Sequence, residues 1–580
     1  MGKTIKFVDQ TIRDAQQSLW GFLMSTDMIT PIASTMSDVG YKAVTTVGSN
    51  GFVVQSRYYG EDPWERIRLL AKAMPGTKLR GSYMTASLAS FDVDTPRDAI
   101  ALWIRRSVAH GINSFWICDY QADMERFAYF ARVAKEEGAE VVTSLMYAAS
   151  PVHDEAHWAK KARLIAETKD VVDAIMIEDA SGVLTPEKTR TFLATIQQHC
   201  GGIPLEFHMH CNSGLAPLCY LEAIRMGVDT VHTAVAPLAN GTSLPSTESI
   251  LRNAKRLGYS ADLDEKALEA VSGHFRSIAL ERGFPIGTPE EYDLFHYEHQ
   301  VPGGMMTNLT RQLKELGMLD RLEEVLAEVV SVRRELGYPV MATPFSQIVG
   351  VQAVENVVSG ERYKRVPDTV IKYVMGFYGE AAGPLDPNVV DRILGLPEAR
   401  KLKGRQPQGR YRPIEELRRE LGQELSDDEL LLKILIPGRG TQAPKPKMPA
   451  VLPAAKAASP AVPLNGFPMA FDVEVDGEVF AVKISPSGEV QAAEGPDAGA
   501  PKKRRAVPAG GVVSGMGGMV VSIKANVGDK VTKGDVLATI EAMKMLREVG
   551  APHGGVVEEI CVSDGDMVDP EDLLMVVGLP

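Results

Sequence analysis

At 580 residues the chain is too long for one ordinary domain, and a hydrophobic content of 45% is enough for a large buried core. A formal net charge of -13 argues against nucleic acid as the main partner, and the five scattered cysteines (Cys118, Cys200, Cys211, Cys219, Cys561) offer neither a disulfide framework nor paired metal-type spacing. No apolar run approaches the roughly 18 residues of a membrane span, and Met1-Gly2-Lys3-Thr4-Ile5 runs straight into a strand pattern, which predicts a soluble, cytoplasmic protein.

In chain order, short apolar runs predict strands at Ile5–Val8, Lys42–Val47, Lys78–Tyr83, Asn113–Cys118, Glu140–Tyr147, Asp173–Ile177, Leu205–Met209 and Thr230–Ala234. Amphipathic stretches such as Trp158–Thr168 and Pro186–His199 lie between them. Eight β-α units predict an α/β fold, a (β/α)8 TIM barrel, over 1–300. From 301 to 436 helical patterns dominate, as in Arg311–Leu336 and Pro413–Leu435, which predicts a C-terminal helical extension. Residues 437–508 have linker composition around a small β hairpin at 470–485, signalled by Asp476-Gly477; the basic run Lys502–Arg505 reads as a solvated charge cluster.

Residues 509–580 contain a repeat. Gly517-Gly518 recurs as Gly554-Gly555, and at the same offset Gly528-Asp529 recurs as Gly565-Asp566, Val531 as Val568 and Leu537 as Leu574. Two similar halves predict a small pseudo-twofold all-β domain of barrel-sandwich type, with a tight hairpin between the halves displaying Lys544. This module, through Ala542-Met543-Lys544-Met545 and the paired halves, resembles biotinyl carrier domains; Lys544 is the predicted attachment site for covalent biotin. A flexible linker would carry such an arm between active sites at an effective concentration of order millimolar.

The barrel supplies a candidate partner site. Asp9-Gln10-Thr11-Ile12-Arg13-Asp14 follows strand one, and strand seven ends in His208-Met209-His210. Residues i and i+2 of a strand face the same side, so both imidazoles can meet one divalent metal, with Asp14 as an oxygen ligand; this donor set accepts Zn, Mn, Co or Mg.

Arg13, Asp14 and Gln17, with Glu61-Asp62-Pro63-Trp64-Glu65-Arg66, Leu79-Arg80-Gly81, Ser150-Pro151-Val152-His153, His208-Met209-His210 and Pro302-Gly303-Gly304, resemble the biotin-dependent carboxyltransferases, the family of the oxaloacetate decarboxylase α chain and the carboxyltransferase part of pyruvate carboxylase. The resemblance implies that Asp14, His208 and His210 hold the metal, that Arg13, Gln17 and Arg80 hold a 2-oxo acid and its enolate, and that the Thr343 hydroxyl shuttles a proton between biotin and substrate. It implies a small carboxylic acid substrate, a separate biotin carboxylase subunit or a decarboxylase partner subunit, loading by a biotin protein ligase, and a homodimer of barrels. The reaction runs as carboxylation (a ligase) or decarboxylation (a lyase). The other readings are a biotin carrier or assembly subunit with a degenerate barrel, and a metal-dependent aldolase or lyase.

The chain departs from the family in two places. Where relatives carry a carboxylated Lys, Ile177-Glu178-Asp179 offers an unmodified carboxylate on a shorter stem, so Glu178 is expected to ligate the metal directly or through water, or the metal to sit closer to strand six. Thr45, Val47 and Val53 replace acidic and Trp positions after strand two, and Trp116 stands where relatives have Arg, which implies a pocket suited to an acid other than pyruvate.

Overall fold

The structure, a computed structural model, describes residues 3–88, 95–119, 123–315, 317–402, 412–436, 470–475, 478–483, 508, 510–515, 518–542, 545–568 and 571–578. Eight parallel strands close into a barrel in sequence order: β1 (Lys6–Asp9), β2 (Ala43–Gly48), β3 (Leu79–Met84), β4 (Ser114–Cys118), β5 (Glu140–Met146), β6 (Ala174–Asp179), β7 (Leu205–Met209) and β8 (Thr230–Thr233). Helices on the outside bury the second face of every strand, which is why β4 and β7 are buried along their whole length. The helices start on conventional caps: Asp62, Asp154 and Thr185 each accept a backbone N–H of the first turn.

The register sorts the inward-facing side chains into layers. Arg80 pairs with Ser114, and Ser114 with Glu140, at the start of their strands; two residues on, Trp116 pairs with Val142 and Val142 with Ala174. Glu178 pairs with His208 at the far end. The barrel therefore has a polar floor at its N-terminal end and an apolar middle in which Trp116, Cys118, Val142, Ala174 and Met176 form a cluster of their own. Its polar mouth lies at the C-terminal end, where the chemistry of such barrels sits.

The helical extension has a separate core, built on residues such as Leu309, Val329, Ile348, Val349 and Ile371. Its first long helix, Gly303–Glu315, meets the loop after β8 so closely that a Cβ on Gly303 would collide with the Thr242 carbonyl oxygen, so only glycine fits there. The helix Asp427–Leu435 returns to the barrel wall, started by a capping box between Ser426 and Glu429. It buries Leu431, Leu432 and Leu435 in the barrel's core and pairs Asp428 with Arg106 at 2.7 Å.

The predicted hairpin is present as β9 (Ala470–Val475) and β10 (Glu478–Lys483), antiparallel; its turn, Asp476-Gly477, lies outside the described residues. The last segment forms two four-stranded antiparallel sheets. One joins β11 (Gly511–Val513), β18 (Leu573–Val577), β16 (Gly555–Ile560) and β13 (Lys530–Val531); the other joins β15 (Met545–Gly550), β14 (Val536–Ala542), β12 (Gly518–Ile523) and β17 (Met567–Val568). The sequence repeat maps strand for strand, β12 onto β16, β13 onto β17 and β14 onto β18. The short strands cross over, β13 to β16 and β17 to β12, so the halves interlock. The two Gly-Asp pairs make equivalent turns: Gly528 and Gly565 have φ of 96° and 90°, and Asp529 and Asp566 accept the N–H of Asn526 and Ser563. Ala542 pairs with Met545 across the central hairpin; Lys544 and Met543 lie outside the described residues.

Candidate active site

The mouth of the barrel assembles around Asp14. The turn after β1 carries Arg13 and Asp14, and β7 delivers His208 and His210. One ligand atom each of Asp14, His208 and His210 lies within 4.8 Å of the others, and all three residues are buried. His210 Nε2 stands 3.3 Å and His208 Nε2 3.8 Å from the Asp14 carboxylate, and the Ser18 hydroxyl donates to it at 3.0 Å. His210 Nδ1 is 2.8 Å from the Thr242 carbonyl, which takes its N–H and leaves Nε2 as the ligand atom. His208 Nε2 is buried with no hydrogen-bond partner among the described residues. An oxygen, two imidazole nitrogens and an unsatisfied lone pair between them fit a divalent cation.

Burial raises the Asp14 carboxyl, but Arg13, His210 and His208 outweigh it and hold it well below the usual carboxylate range. Burial pushes His208 far down, so its ring is neutral, as a metal ligand must be. His210 goes the other way: the Asp14 charge outweighs burial and raises it.

Arg13 is held from two sides. Its Nη1 pairs with Asp14, and its guanidinium lies 4.5 Å over the Trp116 ring, a cation–π contact on an apolar platform. Gly48, at the end of β2, makes room: a Cβ there would sit 3.1 Å from Ser82 Oγ and 3.3 Å from Arg13 Nε. Arg13 Nε, Ser82 Oγ, Gln55 Oε1 and Gln347 Oε1 are all buried without partners among the described residues. Such a concentration of unsatisfied groups around one cavity, about 120 Å3, marks a site built for a polar ligand. Gln17 and Glu178 line this cavity, and the extension closes it with Gly303, Gly304 and Thr343.

The structure corrects the expectation for Arg80. Arg80 does not reach the mouth. It is the second residue of β3, and all its nitrogens are engaged at the floor: Nε to Ser114 at 3.0 Å, Nη1 to Glu206 at 2.6 Å and Nη2 to Glu140 at 3.0 Å. Trp116, two residues above Ser114 on β4, fills the layer between it and the cavity. Glu178 lines the cavity but stands outside the three-residue ligand cluster. Its stem is too short to carry the carboxyl to where a modified lysine would end. Burial first, and then the Asp14 charge, push its pKa up to about 8, so it enters neutral solution largely protonated.

Sequence reading did not connect the mouth to the floor. His208 Nδ1 is 3.3 Å from His232 Nδ1, and His232 Nε2 is 2.9 Å from Glu206, which Arg80 anchors. The signal was available: Glu206 precedes His208 by two residues and so shares its face.

The fold and mouth define a metal-competent α/β barrel joined to a carrier module of the biotinyl type. The comparisons name the family. Residues 4–274 match the family described as HMGL-like, 297–484 the Conserved carboxylase domain, and 506–577 the Biotin-requiring enzyme domain. The chain is 36% identical over 551 residues to a pyruvate carboxylase subunit of Methanocaldococcus jannaschii, covering 93% of this chain and 94% of that one. It is 32% identical over 633 residues to the 2-oxoglutarate carboxylase large subunit of Hydrogenobacter thermophilus, covering 99% and 95%. Among solved structures, the carboxyl transferase domain of Rhizobium etli pyruvate carboxylase with pyruvate superposes with a TM-score of 0.67 at 24% identity, over 75% of this chain and 76% of that one, and so shares the fold. The chain belongs to the biotin-dependent carboxyltransferases; it is an enzyme with biotin as its cofactor. No helix among the described residues is long and apolar enough to cross a membrane.

Proposed function

We propose that the chain is the carboxyltransferase subunit of a biotin enzyme that moves a carboxyl group between carboxybiotin on Lys544 and a small 2-oxo acid of the pyruvate/oxaloacetate type. The observation that carries this reading is the composition of the cavity at the mouth: among the described residues, Arg13 is the one Lys or Arg that lines it, beside the Asp14, His208 and His210 cluster. A single cation in a small cavity suits an acceptor with one carboxylate.

Asp14, His208 and His210 would hold the divalent metal, which supplies the positive charge that stabilises an enolate oxygen, while the biotin arm carries the carboxyl group. Arg13, fixed by Trp116 and Asp14, orients the substrate's carboxylate and oxo group through its unpartnered Nε, and Gln17 donates from the same wall. The Thr343 hydroxyl, brought by the extension, relays the proton exchanged at the carbon that gains or loses the carboxyl. Glu178 lines the same wall, where burial and the Asp14 charge raise its pKa in the absence of metal. The helix Gly303–Glu315 starts at the wall of this cavity, and the positive end of its dipole favours an anion there.

This reading places the chain in the cytoplasm as a homodimer of barrels, loaded by a biotin protein ligase and charged by a separate biotin carboxylase subunit. Two archaeal relatives whose names describe one subunit of a pyruvate carboxylase support the separate subunit. The test is oxaloacetate decarboxylation by the biotinylated protein, with and without avidin, beside Lys544→Ala. Turnover abolished by avidin and by the substitution is expected. Turnover that survives both would make the barrel an aldolase or lyase that does not use its carrier. None at all, with biotin and metal confirmed, would exclude this acid.

A further inference from the structure

The motif Ser150-Pro151-Val152-His153 has no part in the chemistry of the mouth, yet it borders a second cavity of about 310 Å3. This cavity lies between β5 with the helix Glu155–Ala166 and the extension's residues 339–345 and 373–382. The apolar part of its walls comes from Phe127, Leu164, Ile165, Val340, Phe345 and Tyr373.

Two polar features distinguish it from a packing gap. His153 is 7% exposed and stacks on Trp158 with ring centroids 5.4 Å apart. Its Nδ1 is 2.7 Å from Ser150 Oγ, and its Nε2 is buried without a partner among the described residues. Ser150 Oγ accepts the Val152 N–H at 3.2 Å, which leaves its own hydrogen for His153 Nδ1 and places the ring proton on Nε2. Burial, and after it His157, Arg333 and Lys161, push this histidine down to about 3, so the ring is a neutral donor.

The second feature is charge. Lys160 and the half-buried Lys161 border the cavity. The acids nearest Lys161 are Asp119, already tied to Arg126 at 2.8 Å, and the exposed Glu380. Arg333, close to His153, donates to the carbonyls of Ala149 and Pro339. On the polar side of the cavity Lys160 and Lys161 thus stand with Asp119 and Glu380, Asp119 is taken up by Arg126, and the neutral donor His153 lies close to Lys161.

We propose that this cavity is a binding site for a small amphipathic carboxylate, with the anion on Lys161 and His153 Nε2 and the apolar body against Phe345, Val340 and Ile165. The site shares a wall with the mouth: Val340 and Phe345 face the second cavity, while Ala342 and Thr343 of the same segment face the first. A ligand here bears on the segment that carries the proton-relaying hydroxyl.

Hexanoate titrated into the biotinylated full-length protein by calorimetry tests this, beside hexan-1-ol, which keeps the apolar body and lacks the anion. The expected result is saturable one-to-one binding of hexanoate, none of the alcohol at the same concentration, and at least tenfold weaker binding in Lys161→Met and in His153→Phe. Lys161→Met retains the stem and His153→Phe retains the ring on Trp158, so biotinylation and the unfolding midpoint stay as in the parent; either variant alone decides if the other does not fold. Equal binding of the alcohol, hexanoate affinity unchanged by the substitutions, or displacement of hexanoate by pyruvate, which would place it in the mouth, overturns the proposal.

Discussion

At the floor of the barrel Arg80 has each guanidinium nitrogen on an acceptor, and Glu206 takes Arg80, Lys42 and His232 together. At the mouth, a few residues along the same strands, Arg13 leaves Nε unpaired and His208 leaves Nε2 empty. Both ends are buried clusters of arginine, carboxylate and histidine, so residue type does not separate them. Saturation does. A buried polar group without a partner costs about 1–3 kcal/mol, and a fold concentrates such groups only where a ligand completes them. The charged groups of the floor find their partners without a ligand, and those of the mouth do not.

The largest effect should come from removing charge at the mouth. Asp14→Asn takes away the one carboxylate shared by His208, His210 and Arg13. Turnover should fall by roughly 10³-fold with loss of bound metal, while the loss of stability stays below that at the floor, because Arg13 keeps its Trp116 platform. Metal content and the unfolding midpoint, measured beside activity, check both halves; retained metal at normal turnover would show that Asp14 is structural.

The floor should answer in the opposite way. Arg80→Met leaves Glu206 and Glu140 buried without their main partner, and breaking a buried pair in this way costs about 3–5 kcal/mol. Denaturant unfolding should show that loss, while the fraction that folds keeps its Michaelis constant for the acid. A raised Michaelis constant at unchanged stability would return Arg80 to the substrate. The sequence could not decide this, since an arginine in the middle of Leu79-Arg80-Gly81 is compatible with either end until its depth in the strand is known. The position was a clue, because catalytic groups come from the last residues of barrel strands and Arg80 is the second of six.

The strands themselves were legible because parallel strands buried on both faces read as continuous apolar runs. Their ends were not. β6 runs on through Glu178 and Asp179, two carboxyls that look like loop in sequence and are strand because the site needs them at the rim. The repeat of the last segment was legible down to single residues, since each Gly-Asp turn has a backbone reason. The pairing of His208 and His210 was legible through the i, i+2 rule, and they meet Asp14 in the cluster at the mouth, whereas Glu178 lines the cavity outside that cluster, a separation that strand order alone does not fix.

Glu178 gives a smaller and pH-dependent effect. Its pKa rises from 4.5 to about 8 on folding, so the folded state holds the proton more tightly than the unfolded chain. Its contribution is therefore fully present below pH 4.5 and is lost as the pH climbs through about 8. Asp9 and Asp179, both raised by burial to about 7, add slopes of the same sign. Glu178→Gln should remove Glu178's share: the metal-free variant should gain on the order of a few kcal/mol relative to the parent at pH 9 and nothing at pH 4. Unfolding curves of metal-free protein across that range measure it, and parallel parent and variant profiles would place the carboxyl in water instead.

Among the described residues, His232 joins the two ends. It touches Glu206 through Nε2, and through Nδ1 it faces Gln10 at 2.8 Å and His208 at 3.3 Å. If the floor serves only stability, His232→Gln should cost stability alone. If the floor also orients the mouth, a neutral His232 with its proton on Nε2, donated to Glu206, presents Nδ1 to the His208 Nδ1–H and so keeps His208 Nε2 free for the metal. The geometry supports the second course, and replacement of such a supporting group typically weakens metal binding about 10–100-fold. Metal affinity of His232→Gln by competition with a chelator, compared with Arg80→Lys as a change at the floor that keeps the charge, separates the two. Weakened metal binding in the first and parental affinity in the second means that the saturated end holds the unsaturated one in register through a single imidazole; equal loss in both means that the barrel transmits the damage as general loosening.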